Sequence, residues 1–180
     1  MSPSPPHTLP YEWSDQSLGM KAFAIATELK RSGQRMATAE SCTGGWIAKL
    51  CTDLAGSSNW FECGWVSYSN ESKQHQLGVT ESALARHGAV SEIVAAEMAL
   101  GAQQRAGCDL ALSVTGVAGP SGGSPDKPVG LVCFGWVGAD LQPETESQLF
   151  NVELEGELAR EWIRRATAAH ALDGLLQRLR

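Results

Sequence analysis

Thr38-Ala39-Glu40-Ser41-Cys42-Thr43-Gly44-Gly45-Trp46 is the stretch that decides how this chain is read. The residues before it, from Gln34 to Ala39, follow a break at Gly33 and read as a short strand. The residues after it, Trp46 to Cys51, set Trp46, Ile47 and Leu50 on one side and read as a helix. Ser41 therefore falls at a strand-to-helix turn. Such a turn gathers a hydroxyl, unpaired backbone N–H groups and the positive end of a helix dipole. Thr43, Gly44 and Gly45 open the helix, and the two glycines carry no Cβ, so a ligand can approach their backbone closely. The place suits an oxyanion or phosphate, and it suits a serine nucleophile. A serine or threonine before a helix is also the ordinary N-cap, and the residue types alone leave both readings open.

Outward from this turn, Ser14 is placed to cap a first helix. Leu18, Ala22, Ile25, Ala26 and Leu29 recur there at helical spacing, and Gly33 closes it. Trp60 to Tyr68 is rich in aromatic and β-favouring residues and reads as a strand. Asn70 to Leu77 and Glu81 to His87 predict two short helices, and Ser91 caps a longer one from Glu92 to Arg105 that Gly107 stops. Asp109 to Thr115, Leu131 to Val137 and Glu146 to Val152 read as strands, and Leu158 to Leu179 as the last helix. Gly116 to Gly130 is irregular, with five glycines and three prolines, a length that marks function or disorder inside a compact domain. Strands and helices alternate early, and two strands then come together. That order favours an α/β fold, a three-layer α/β/α sandwich with a mixed sheet, over a purely doubly wound one. Met1 to Pro10 holds four of the eight prolines, so residues 1–12 are expected to be a flexible tail and residues 13–180 a single domain.

Composition narrows the function. At 180 residues and 43% apolar, the chain has enough material for one sizeable core. A formal net charge of -6 disfavours general binding to nucleic acid or to an anionic membrane, although a few local arginines can still hold a small anion. Five cysteines, at 42, 51, 63, 108 and 133, are scattered and odd in number, which fits neither a zinc site nor a full disulfide set and points to a reducing cytoplasm. No metal or other cofactor is expected. No apolar run is long enough for a membrane span, and no secretion signal is visible. The aromatics Tyr11 and Trp13 near the N-terminus hint at a homo-oligomer.

Several side chains have the chemistry of a site. A serine hydroxyl needs a partner to take its proton, and a lysine does this when burial keeps it neutral. Tyr68 ends the second strand and Lys73 lies on the helix after it, beside Ser41 if the first two strands are parallel neighbours. A solvated lysine and a core tyrosine are the bland alternatives. Cys42 is the rival nucleophile, activated if its thiolate sits at a helix start, yet none of His7, His75, His87 and His170 is spaced to serve it. Ser124-Pro125-Asp126-Lys127 is a literal S-x-x-K match in a proline-containing loop and is read as chance. Arg160, Arg164 and Arg165 crowd the last helix, either as a solvated face or as the fork that a phosphomonoester wants. Trp46 is the tryptophan best placed to stack a pyridinium ring.

The quoted stretch resembles the signature of the CinA C-terminal family, the nicotinamide-nucleotide amidohydrolases. Three more blocks are similar to that family in the same order: Tyr68-Ser69-Asn70-Glu71-Ser72-Lys73, His87-Gly88-Ala89-Val90-Ser91, and Thr115-Gly116-Val117-Ala118-Gly119-Pro120 running on to Lys127-Pro128-Val129-Gly130. The resemblance covers nearly the whole chain after its first dozen residues and corresponds to the family's stand-alone form. It implies Ser41 as nucleophile, Lys73 as base and Tyr68 as helper. It also implies that Thr43, Gly44, Gly45, Thr115, Gly116 and the glycine-rich segment border the substrate, with the role of Lys127 open. Arg160 matches a family arginine, but Leu158-Ala159 stands where the family has Gly-Asp. The implied substrate is nicotinamide mononucleotide, deamidated to nicotinate mononucleotide and ammonia. The alternative is a non-catalytic nucleotide-binding or regulatory module that uses the same anion site.

Overall fold

Ser14 and Gly33 bound the first helix by their own chemistry. In the computed structural model, which describes residues 8–179, α1 spans Asp15–Ser32. The Ser14 hydroxyl accepts from the Ser17 N–H, and Gly33 takes the left-handed conformation at φ 70°. A single 3-10 turn at Tyr11–Trp13 precedes it, and Trp13 packs edge-on against Trp162 with ring centroids 6.2 Å apart. The first seven residues of the expected tail lie outside the described residues.

Five strands follow with five more helices: β1 Met36–Glu40, α2 Trp46–Thr52, β2 Phe61–Val66, α3 Asn70–Leu77, α4 Glu81–His87, α5 Glu92–Ala106, β3 Leu110–Gly116, β4 Leu131–Val137, β5 Glu144–Leu149 and α6 Gly156–Arg178. They form one sheet in the order β2-β1-β3-β4-β5. β1 pairs parallel with both β2 and β3, whereas β4 and β5 are antiparallel additions. The sheet is mixed, as the crowding of two strands after the glycine-rich segment predicts. β5 begins at Glu144 instead of Glu146 and ends at Leu149, short of the expected Val152.

Period-two alternation assigns each strand residue to a face. Met36, Leu112, Val114, Phe134 and Trp136 join one core with α1, α2 and α6. Ala37, Ala39, Ala111 and Val137 join a second core with Val94, Met98, Ala99 and Ala102 of α5 and with residues of α3 and α4. The three layers are therefore helices, sheet, helices. Small residues let the helices sit close. At Gly64 a Cβ would meet Thr38 Oγ1 at 2.7 Å and the Ala48 Cβ at 2.9 Å, so glycine on β2 allows α2 to approach the sheet. Among the described residues, no helix is long and apolar enough to cross a membrane.

Register then builds the site. Glu40 lies opposite Val66 on β2 and Val114 on β3. The Ser41 N–H donates to the Val114 carbonyl at 3.1 Å, and the Ser67 N–H to the Glu40 carbonyl at 2.9 Å. Ser41, Ser67 and Thr115 thus stand level at the carboxyl ends of three parallel strands. The chain leaves β1 toward α2 on one face and reaches β3 through helices on the other, the kind of crevice where open α/β sheets hold ligands.

Candidate active site

Glu40 is wholly buried at the end of β1, and the pleat turns it toward α2. Its Oε2 accepts from the Thr43 hydroxyl at 2.7 Å, the Ile47 N–H at 3.0 Å and the Gly45 N–H at 3.1 Å, and its Oε1 from the Ala48 N–H at 2.8 Å. The donors at the start of α2 are therefore taken by the chain's own carboxylate. Burial holds the Glu40 carboxyl above its ordinary value, and the Thr43 hydroxyl and the three N–H groups offset only part of that rise. On the outside of the same turn, Arg164 donates from Nε to the Cys42 carbonyl at 3.2 Å and from Nη2 to the Thr43 carbonyl at 2.7 Å.

Ser41, one residue on, turns to the opposite face, where α3 supplies Lys73. Lys73 Nζ lies 3.1 Å from Ser41 Oγ, and its other donors go to the Ser67 carbonyl at 2.9 Å and the Tyr68 carbonyl at 3.3 Å. Lys73 is 1% exposed. On α3 only Lys73 and Leu77, one turn apart, are buried, so the lysine occupies the helix's core-facing stripe. Burial holds its ammonium below the usual lysine value. Two carbonyls that take two N–H bonds leave the third position of a neutral amine, its lone pair, on the Ser41 hydroxyl.

The Ser41–Lys73 pair opens into a cleft of about 200 Å³ that is also lined by Cys42, Tyr68, Thr115, Gly116 and Arg160. Ala89, Val90 and Ala118 complete the wall, and the Thr115 hydroxyl holds the first of these by donating to the Ala89 carbonyl at 2.8 Å. Lys127 donates to the His87 carbonyl and so ties the glycine-rich segment to the end of α4. Arg160 reaches from α6 to the Gly119 carbonyl and, through Nη2, to the Tyr68 hydroxyl at 3.3 Å. The phenol of Tyr68 is thus turned to Arg160 on an exposed side chain, while its main-chain carbonyl serves Lys73.

The cleft gathers six of the expected residues: Ser41, Tyr68, Lys73, Thr115, Gly116 and Arg160. It does not gather the other three. Thr43 is wholly buried on Glu40. Gly44 and Gly45 line a separate cleft of about 380 Å³ with Asp15, Trp46, Lys49 and Arg164. Trp46 lies under two guanidinium groups, Arg164 at 5.0 Å and Arg165 at 4.9 Å from its ring centroid, so its face is already occupied. Ser124 Oγ accepts from the Lys127 N–H at 3.1 Å, which makes the S-x-x-K match a local turn. Glu40, Ser67 and Arg164 are the residues whose roles the sequence did not disclose. An acidic residue inside a strand of small apolar side chains was the available signal for Glu40. Among the described residues, no three His, Cys, Asp or Glu side chains gather as a metal site.

Cys42 is buried beside the pair, and burial pushes its thiol up to about 12. It stays a thiol at neutral pH. Cys42→Ala is expected to lower kcat by less than about tenfold, the effect of a small packing change next to the reacting atoms. A loss equal to that of Ser41→Ala in the same steady-state assay would reassign the nucleophile.

Comparison with known proteins adds a family. The CinA C-terminal domain family matches residues 20–179. The nicotinamide-nucleotide amidohydrolase PncC of Escherichia coli K12 is 47% identical over 164 residues, 91% of this chain and 96% of that protein. The protein of the same name from Pseudomonas putida is 46% identical over 156 residues, 87% of this chain and 93% of that one. The crystal structure of a competence/damage-inducible protein from Agrobacterium tumefaciens superposes with a TM-score of 0.83 at 37% identity, covering 95% of this chain and 98% of its own.

Proposed function

The chain belongs to the CinA C-terminal domain family, and from that premise we propose that it is a nicotinamide-nucleotide amidohydrolase, with residues 13–180 as one catalytic domain. Its reaction is hydrolysis of the carboxamide of nicotinamide mononucleotide to nicotinate mononucleotide and ammonia. The observation that carries the site assignment is the buried Lys73 amine, 3.1 Å from Ser41 Oγ and steered by two carbonyls. Ser41 Oγ attacks the carboxamide carbon while its proton passes to Lys73 Nζ. The ammonium then protonates the departing nitrogen, the C–N bond breaks and ammonia leaves an acyl-serine. Water attacks the acyl carbon, Lys73 takes its proton, and the ester bond breaks to give the carboxylate and restore Ser41. The Cys42 N–H, next to Ser41 in the cleft lining and in contact with its own thiol, is assigned as the donor for the oxyanion. Tyr68 acts through two groups: its carbonyl aims Lys73, and its phenol with Arg160 forms the outer wall of the cleft.

Purified protein incubated with nicotinamide mononucleotide tests this directly. Stoichiometric ammonia and nicotinate mononucleotide are expected; tight binding with no ammonia would make the chain a regulatory module instead. The five cysteines are all free, which fits the cytoplasm. A homo-oligomer now rests on the exposed Tyr11, since Trp13 packs on Trp162.

Arg160 is the guanidinium on the cleft wall, so it is assigned to the phosphate. Its removal is expected to weaken substrate binding by about 1.5–3 kcal/mol, the scale of a hydrogen bond to a charged group. The loss falls on KM if that contact is uniform through the reaction. Nicotinamide riboside, which lacks the phosphate, is expected to be a poor substrate for the wild type and to lose little more in Arg160→Ala. A mutant that still discriminates mononucleotide from riboside as sharply as the wild type would remove Arg160 from this role.

A further inference from the structure

A carboxylate that is wholly buried and forms no ion pair is costly to keep unless it is fully hydrogen-bonded. Glu40 is such a group: it is 0% exposed, and among the described residues no lysine, arginine or histidine pairs with it. All four of its partners are donors, so the ionised form is the one this geometry satisfies. These donors come from Thr43, Gly45, Ile47 and Ala48, the turn and helix start immediately after Ser41. Glu40 itself is fixed by the β1 ladder on both sides. The carboxylate therefore ties the start of α2 to the last residue of the strand and leaves the intervening turn one length and one path. From the other side, Arg164 holds the Cys42 and Thr43 carbonyls. Its cationic donors take the turn's acceptors while the Glu40 anion takes its donors.

We infer that Glu40 is a positioning residue for the nucleophile, setting Ser41 Oγ against Lys73 by clamping the turn that carries it. The inference rests on the reading of Ser41 as the nucleophile. Glutamine cannot reproduce the clamp. Three donors converge on Oε2, and the fourth meets Oε1, so an amide NH2 at either position faces an N–H or O–H instead of accepting it. Displacing the turn by even an ångström separates Oγ from the amine while leaving the Arg160 and Tyr68 side of the cleft in place.

The test is the rate at which phenylmethylsulfonyl fluoride labels Ser41 in the full chain, read by mass spectrometry of the Ser41 peptide, with kcat, KM and thermal melting measured in parallel. Glu40→Gln is expected to melt at lower temperature and, while still folded, to label about 100-fold more slowly. Its kcat should fall by a similar factor with KM within about threefold of the wild type. Thr43→Val, which removes one donor without changing shape, is expected to label about tenfold more slowly, and Thr43→Ser to label as the wild type does. A folded Glu40→Gln protein that melts lower but labels at the wild-type rate would reduce Glu40 to a structural role and overturn the inference. If Glu40→Gln does not fold, the threonine pair decides: equal rates for Thr43→Val and Thr43→Ser overturn it. Failure of the wild type to label at Ser41 would remove the nucleophile reading, and this inference with it.

Discussion

Ser41→Ala is expected to give a folded protein that binds nicotinamide mononucleotide and releases no measurable ammonia, with kcat down by a factor on the order of 10⁵ to 10⁶. The substitution deletes one oxygen from a side chain that is 8% exposed. The backbone bond from the residue 41 N–H to the Val114 carbonyl remains, and so does the Glu40 clamp on the residues that follow. Lys73 keeps the Ser67 and Tyr68 carbonyls as partners. Fold and binding should therefore survive while the atom that forms the acyl bond is gone. No neighbour can take over: Cys42, the next residue, holds its proton up to about 12. Calorimetric titration with substrate, melting temperature and ammonia release measured on one preparation separate the outcomes. Near-normal turnover by the folded mutant would end the acyl-serine mechanism. Loss of binding together with turnover would mean that Ser41 holds substrate instead of reacting with it.

Much of this architecture is legible in the sequence because it is locally encoded. Ser14 with Gly33 and Ser91 with Gly107 are cap pairs whose bonds are made within the helix they bound. α3 and α4 begin and end where the residue pattern places them. Boundaries that depend on partners are less legible. β1 runs to Glu40 because its backbone pairs with Val66 and Val114, contacts that sequence spacing does not reveal. β5 is an edge strand with mostly exposed side chains, and its start is set by the pairing of Glu144 with Trp136.

The site shows the same division. The turn that carries Ser41 is recognisable from its glycines and flanking periodicity. The destination of its N–H groups is not, because a glutamate in sequence reads as a solvated charge and not as a buried acceptor. An external anion was the natural expectation for those donors, and Glu40 occupies them instead. Lys73 carries a recoverable signal, since Leu77 follows it by one turn on an otherwise polar helix, so the lysine shares the buried stripe. Trp46 carries none, because the two arginines over its ring come from more than a hundred residues away.

Lys73→Met is expected to lower kcat by about 10³-fold or more, since a positioned general base contributes roughly 10² to 10⁴ and here the same amine also serves as the acid for the leaving ammonia. Methionine matches the length of the lysine stem and suits a buried site, so the helix and the cleft should persist. In the wild type, the rate should rise with pH as the amine loses its proton, with its midpoint below the ordinary lysine value because burial disfavours the ammonium. Stability carries the same sign. The folded lysine binds its proton less tightly than the unfolded one, so below the folded value both states are protonated and the folded state bears the full desolvation penalty. As pH rises through the folded value the native amine becomes neutral while the unfolded one stays charged, and the penalty is relieved. The melting temperature of the wild type relative to Lys73→Met should therefore begin to climb where pH passes the folded value and go on climbing toward the unfolded one, whereas the rate has its midpoint at the folded value and levels off above it. A fully active Lys73→Met protein would take the base role from Lys73. A wild-type rate with no inflection at the pH where the relative melting temperature begins to climb would show that the amine titrates without taking part in the chemistry.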